Sequence, residues 1–138
     1  MKLITLEDID TAARTVYGEA RGELVAGMIA VAWVIRNRAE KGGWWGDTLA
    51  GVCKHPFQFS CWNPDDSNCK IIEELPVSFK AYGDAVWAVM QAIMPTDRRA
   101  DPTHRATHYH AGAVDPKWAK GQAPCVVIGN HLFYNDIQ

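Results

Sequence analysis

From Leu6 to Ala20, the apolar residues Ile9, Ala12, Ala13, Val16, Tyr17 and Ala20 recur at helical spacing, which predicts an amphipathic helix. Thr5 followed by Asp8 resembles a capping box, with Asp in place of Glu, and marks its start. Gly18 and Gly22 predict a stop or bend near residues 20–22. Leu24 to Arg38 is apolar on nearly every face and turns basic at Arg36 and Arg38, as expected of a core helix that ends at Gly42 and Gly43. A short helix is expected over Thr48 to Cys53, and the Pro, Asn, Asp and Ser content of His55 to Asn68 predicts a loop. A third long helix should carry Pro76 near its first turn and Phe79, Tyr82, Val86, Val89, Met90 and Ile93 on one face, ending at Pro95. The last third changes period. Arg105 to Ala111 alternates like a strand, and Cys125–Ile128 and His131–Tyr134 flank the hairpin signal Gly129-Asn130. Helices first and a small antiparallel sheet last predict an α+β fold, mainly helical, in a single domain of residues 1–138.

Composition narrows the function classes. An apolar fraction of 48% and a charged fraction of 22% describe an ordinary globular protein. A net charge of −2 argues against a dedicated nucleic-acid binder, which would carry a basic excess. No secretory apolar region follows Lys2, and Leu24 to Ile35 is too short to span a bilayer. The expectation is therefore synthesis in the cytoplasm without a signal peptide and no stable membrane insertion. Cys53, Cys61, Cys69 and Cys125 lack the paired spacing of a zinc site. They read as free thiols in a reducing compartment, or as Cys53–Cys61 or Cys61–Cys69 in an oxidising one. The chain has six tryptophans, of which Trp33 and Trp87 fall on apolar helices and read as core.

Two carboxylates stand out. Glu19 lies along the edge of the first helix's apolar face, where desolvation favours the protonated form that glycosidic cleavage requires of a general acid. The alternative is a rim carboxylate paired with Arg14, Arg21 or Arg36. Glu23 would share that side if the helix continued, or else be a solvated residue opening the next helix. The loop residues Gln58, Phe59, Ser60 and Trp62 mix aromatic faces with polar groups, a combination suited to a sugar ring or to pinning the loop on the core. His108 and His110 share one strand face, available for a metal, for substrate hydrogen bonds or for packing.

The ordered set Val16-Tyr17-Gly18-Glu19-Ala20-Arg21-Gly22-Glu23, Trp33-Val34-Ile35-Arg36-Asn37-Arg38, Pro56-Phe57-Gln58-Phe59-Ser60-Cys61-Trp62-Asn63, Ala106-Thr107-His108-Tyr109-His110, Pro116-Lys117-Trp118-Ala119 and Ile128 to Tyr134 resembles the SleB/CwlJ-type cell-wall hydrolase domain. One departure is His104-Arg105 after Asp101-Pro102-Thr103, where small residues are expected. The resemblance implies a lysozyme-like fold that cleaves the bond between N-acetylmuramic acid and N-acetylglucosamine in peptidoglycan. The family's acid falls on Glu19. The family's behaviour implies lytic transglycosylation, with lysozyme-type hydrolysis through Asp47, Asp65 or Asp66 as the alternative. Cleft residues would be Glu23, Gln58, Phe59, Ser60, Trp62, Tyr109, His110 and Trp118. The reading is of a monomeric bacteriophage endolysin with no cofactor and no metal, whose partners are peptidoglycan glycan strands. Its negative net charge requires local cations for an acidic polymer, with Arg21, Arg98, Arg99 and Arg105 as candidates. A metal-dependent amidase using His108 and His110, and a non-catalytic wall-binding module, are the competing classes.

Overall fold

The computed structural model describes residues 3–137, so residues 1, 2 and 138 of the expected domain lie outside it. The first helix, α1 (Leu6–Ala20), starts at the predicted capping box: Asp8 N donates to Thr5 Oγ1 at 3.1 Å and Thr5 N to Asp8 Oδ2 at 2.9 Å. Asp8 also accepts from Ala50 N at 2.9 Å, which ties α1 to α3 (Leu49–Lys54). Burial opposes the charged form of Asp8, but the hydrogen bonds from Thr5 and Ala50 hold its pKa below the usual value.

The core helix is α2 (Val25–Lys41), buried continuously from Ala30 to Ala39, including Arg36, Asn37 and Arg38. Partners meet most of their polar atoms, although Asn37 Oδ1 and Arg38 Nη1 have none among the described residues. Arg36 donates to the Ala92 and Pro95 carbonyls at 2.8 and 2.6 Å, satisfying the end of α5 (Lys80–Ile93). Asn37 Nδ2 donates to Asp101 Oδ2 at 2.8 Å and to the Ala106 carbonyl at 3.0 Å. Trp33 is 1% exposed, as expected of a core residue.

Several elements depart from the sequence reading. The segment from 55 to 68 is not all loop: Ser60–Trp62 forms a 3-10 turn, and α4 (Ser67–Glu73) begins at an Asp66 cap that accepts from Asn68 N. Pro76 sits in the turn before α5 rather than in its first turn. The buried face of α5 is built on Ala85, Ala88, Val89 and Ala92, small residues that admit α1 and α2 closely. Trp87 is consequently not core; it stands half exposed on the opposite side.

The sheet is β1 (His108–Ala111), β2 (Val126–Ile128) and β3 (His131–Tyr134), antiparallel in the order β1-β3-β2. Its fold class is thus the expected α+β. Gly129 turns the β2–β3 hairpin with φ +59°, a conformation that glycine adopts without strain. Strand β1 is shorter than Arg105–Ala111 because His104 and Arg105 adopt left-handed φ of 55° and 68°. Asp101 wraps this turn, accepting from Thr103 N, Thr103 Oγ1 and Arg105 N. Beyond it, Phe133 packs with Ala30, Val34 and Ala106, so one face of the sheet rests on α2.

Candidate active site

Tyr109 on β1 meets the C-terminal end of α1, and its hydroxyl donates to Glu19 Oε1 at 2.8 Å. The two elements are ninety residues apart in sequence, and the strand register sets the meeting. Tyr109 pairs opposite Phe133 and stacks on it at 5.6 Å, which turns the Tyr109 ring toward the helices. Glu19 itself is half-buried. Its expected arginine partners are engaged elsewhere: Arg14 with Asp10 at 3.0 Å, Arg36 with Glu40 at 2.7 Å and Arg21 with Asn68 at 2.6 Å. The rim-carboxylate alternative therefore has no partner among those residues.

The Ser60–Trp62 turn packs closely against α1 beside Glu19. A Cβ on Gly18 would lie 2.8 Å from Cys61 Cβ, so the missing side chain is what lets the Ser60–Trp62 turn rest on α1. Burial and the neighbouring Glu19 charge push the Cys61 thiol well above its ordinary pKa, and burial pushes Cys53 up to about 12. Neither is a nucleophile at neutral pH. Burial and Glu19 likewise raise the Tyr109 hydroxyl well above its ordinary value, so it stays a proton donor.

Arg38 is a site neighbour that sequence reasoning missed. It is 5% exposed, lies over the Trp45 and Phe59 rings at 5.2 and 5.0 Å, and donates through Nε to the Thr107 carbonyl at 2.6 Å. It thereby holds the backbone that feeds β1 and Tyr109, while its Nη1 lacks a partner among the described residues. The available signal was a basic residue inside a helix with no polar face. It read instead as a helix-end charge.

Glu23 is neither solvated nor placed beside Glu19 on a continued helix. Its side chain is 8% exposed and accepts from Asn130 N at 2.9 Å, with His131 Nδ1 3.6 Å away. A Cβ on Gly129 would fall 3.0 Å from its carboxylate. Glu23 is thus a latch between the α1–α2 corner and the β2–β3 turn, and the His131 ring lies 4.9 Å from that of Tyr109. Glu23→Ala is expected to speed hydrogen exchange at the Asn130 amide by about tenfold, the order of one charge-assisted hydrogen bond. Unchanged exchange would remove the latch.

The remaining candidates separate. Phe59 is 1% exposed beneath Arg38, so it offers no face to a ligand. This corrects its expected place in the cleft. Gln58 is half-buried and Ser60 exposed on the adjoining turn. The Trp62 indole donates to Thr15 Oγ1 at 2.7 Å, and Lys54 lies 4.8 Å above its ring. Alternation puts His108 and His110 on the strand face opposite Tyr109. There Trp118 packs against His108, His110 and Tyr134 at 5.1, 5.7 and 5.1 Å. His110 and Trp118 therefore belong to a cluster away from Glu19. Both His110 ring nitrogens are engaged, with the Ala111 carbonyl and the Tyr134 hydroxyl at 2.8 Å each. Among the described residues no group of three or more His, Cys, Asp and Glu is arranged to hold a metal. Of the expected second carboxylates, Asp66 is spent capping α4, and Asp47 and Asp65 are exposed. Of the candidate cations, Arg98 pairs with Glu40 and Arg99 with Asp97, while Arg105 is exposed.

Burial, with Arg38 and Lys41 nearby, lowers the His108 pKa to about 4. An unfolded His titrates near 6.5, so the unfolded chain binds this proton first as pH falls. The contribution to stability is full above about pH 6.5 and is lost by about pH 4, amounting to about 1–2 kcal/mol after solvent screening. Thermal melts across that window should fall less steeply for His108→Asn than for the native chain, and identical slopes would contradict this.

Comparison with known proteins places the chain. A cell wall hydrolase family model matches residues 22–134. The spore cortex-lytic enzyme of Bacillus cereus is 31% identical over 127 residues, covering 91% of this chain and 43% of that protein. That of Bacillus subtilis is 30% identical over 127 residues, covering 91% of this chain and 37% of the other. The chain thus spans less than half the length of these relatives. The catalytic domain of the germination-specific lytic transglycosylase SleB from Bacillus anthracis superposes with a TM-score of 0.75 at 30% identity, covering 96% of this chain and 98% of that one. The Bacillus cereus SleB catalytic domain gives 0.74 at 29% identity, covering 96% and 93%. With its fold and most of its length matched, the chain belongs to the cell wall hydrolase family.

Proposed function

We propose that this chain cleaves the bond between N-acetylmuramic acid and N-acetylglucosamine in peptidoglycan by lytic transglycosylation, with Glu19 as acid and then base. The observation that carries the reading is the Tyr109 hydroxyl bound to Glu19 Oε1 at 2.8 Å. Held through one oxygen, the carboxyl group has the other for the substrate. Protonated Glu19 gives its proton to the glycosidic oxygen as the bond to C1 breaks. The carboxylate then takes a proton from the muramic acid 6-hydroxyl as that oxygen closes on C1. Glu19 is regenerated and no water is consumed. Tyr109 stabilises the carboxylate between the two transfers by a charge-assisted hydrogen bond. The likeness to a catalytic domain described as a lytic transglycosylase supports the same chemistry.

Incubated with purified peptidoglycan, the protein should release soluble glycan fragments that retain their peptide stems. Free stem peptides with intact glycan strands would instead assign the amidase class, and binding without release would assign a wall-binding module.

The endolysin role and monomeric action are part of the proposal. Four unpaired cysteines suit a chain folding in a reducing compartment, and no described helix is long and apolar enough to cross a membrane. Cytosolic expression should lyse cells only after the membrane is permeabilised, and sedimentation should give a single protomer. Lysis without permeabilisation or a stable dimer would refute these two points respectively.

A further inference from the structure

A cavity of about 380 Å³ lies between the start of α2 and the outer face of α5, beside the α1–α2 corner. Leu24, Val25 and Trp87 form its apolar wall and are 85%, 53% and 50% exposed. Leu24, Val25 and Trp87 thus gather exposed apolar side chains along one concave surface. The position of this one is informative. Arg21 and Glu23 line the groove, and both belong to the corner that follows Glu19 directly. Glu23 also reaches His131, whose ring adjoins that of Tyr109, so a chain of side-chain contacts links the groove's lining to the Glu19–Tyr109 pair.

We propose that this groove holds the peptide stem of peptidoglycan, a specificity site that rests on the functional reading above. The stem leaves muramic acid beside the bond to be cut and alternates small apolar groups with carboxylates, ending toward a diamino acid. An extended peptide covers about 3.3–3.6 Å per residue, so a few residues traverse a groove of this size. The chemistry of the groove is complementary. Leu24, Val25 and Trp87 receive alanine methyl groups, and Arg21 exchanges its exposed hydrogen bond with Asn68 for a carboxylate of the stem. On the α5 side of the groove Lys80 and Asp84 form an exposed ion pair at 2.8 Å, which opens at little cost. Lys80 is then available to a carboxylate and Asp84 to the side-chain amine of the diamino acid. The charge of −2 is no obstacle, because this recognition is local.

The test compares kcat/KM on peptidoglycan carrying its stems with kcat/KM on the same strands trimmed by an amidase. The native enzyme should prefer stem-bearing strands by about tenfold, a factor that a few contacts readily supply. Trp87→Ala and Leu24→Ser should bring that ratio near one, and Trp87→Phe should retain most of it. Both positions are exposed, so the variants should melt near the native temperature. In parallel, the peptide L-alanyl-γ-D-glutamyl-L-lysine added to Glu19→Gln protein should shift the Trp87 indole N–H signal more than the other tryptophan signals. Equal rates on both strands, or a preference untouched by Trp87→Ala, would overturn the proposal. If neither strand is cut, the functional reading fails, and the Trp87 signal still decides whether the groove binds the peptide.

Discussion

Glu19→Gln is expected to lower the rate of glycan-strand cleavage by about 10²–10⁴-fold, the range of a lost general acid–base. The change removes one titratable proton and almost no volume. Glutamine still accepts the Tyr109 hydroxyl hydrogen bond through its amide oxygen, so the contact between α1 and β1 survives. The melting temperature should stay within a few degrees of the native value, and binding to insoluble peptidoglycan should persist. A variant that binds, folds and no longer cuts isolates the proton transfer from everything else Glu19 touches. Cleavage within about threefold of native would mean that another group supplies the proton, and Glu19 would lose its assigned role. Loss of both folding and cleavage is checked against Tyr109→Phe, which leaves the Glu19 proton in place. That variant should remain active at a reduced rate, because it loses only the hydrogen bond that orients the carboxyl group.

The largest effect on stability is expected at Asp101. This carboxylate is 4% exposed and accepts from Asn37 Nδ2 at 2.8 Å, Thr103 N at 2.8 Å, Thr103 Oγ1 at 2.7 Å and Arg105 N at 2.9 Å. Asp101→Ala leaves these donors, most of them buried, without their acceptor, at about 1–3 kcal/mol for each that stays unpaired. The turn it organises also contains the left-handed His104 and Arg105, conformations that persist only when neighbours enforce them. A total near 3–4 kcal/mol follows, which lowers the melting temperature by roughly 10 °C. Activity should fall as well, because this turn delivers the chain to β1 and so sets the height of Tyr109. A melting temperature within a degree or two of native would show that the turn is held by other contacts.

The helices were legible because their apolar spacing reports directly which face is buried. Leu6–Ala20 and its capping box, the all-round apolar run of α2 and the Gly129-Asn130 hairpin all appear in the structure where local chemistry put them. The α4 helix was not legible, because its Asp66 cap sits inside a run of Pro, Asn, Asp and Ser that also makes loops. The α5 face was misjudged by size. Large apolar residues drew the stripe, whereas close helix packing selected Ala85, Ala88 and Ala92. At the site, the helix-edge spacing left Glu19 open between a general acid and a rim carboxylate, and only the family resemblance singled out the acid. The latch formed by Glu23 was hidden, since its partner Asn130 lies 107 residues away and no spacing rule links them. His110 and Trp118 were expected in the cleft with Tyr109, but strand alternation puts His110 on the other face, where Trp118 packs against it. The role of Arg38 required knowing that Trp45, Phe59 and Thr107 converge on it.

Product mass distinguishes transglycosylation by Glu19 and Tyr109 from hydrolysis. Purified peptidoglycan digested to completion and resolved by mass spectrometry should yield fragments ending in 1,6-anhydromuramic acid, with none formed by Glu19→Gln. Fragments one water heavier, ending in reducing muramic acid, would contradict the account and point to a second group that activates water.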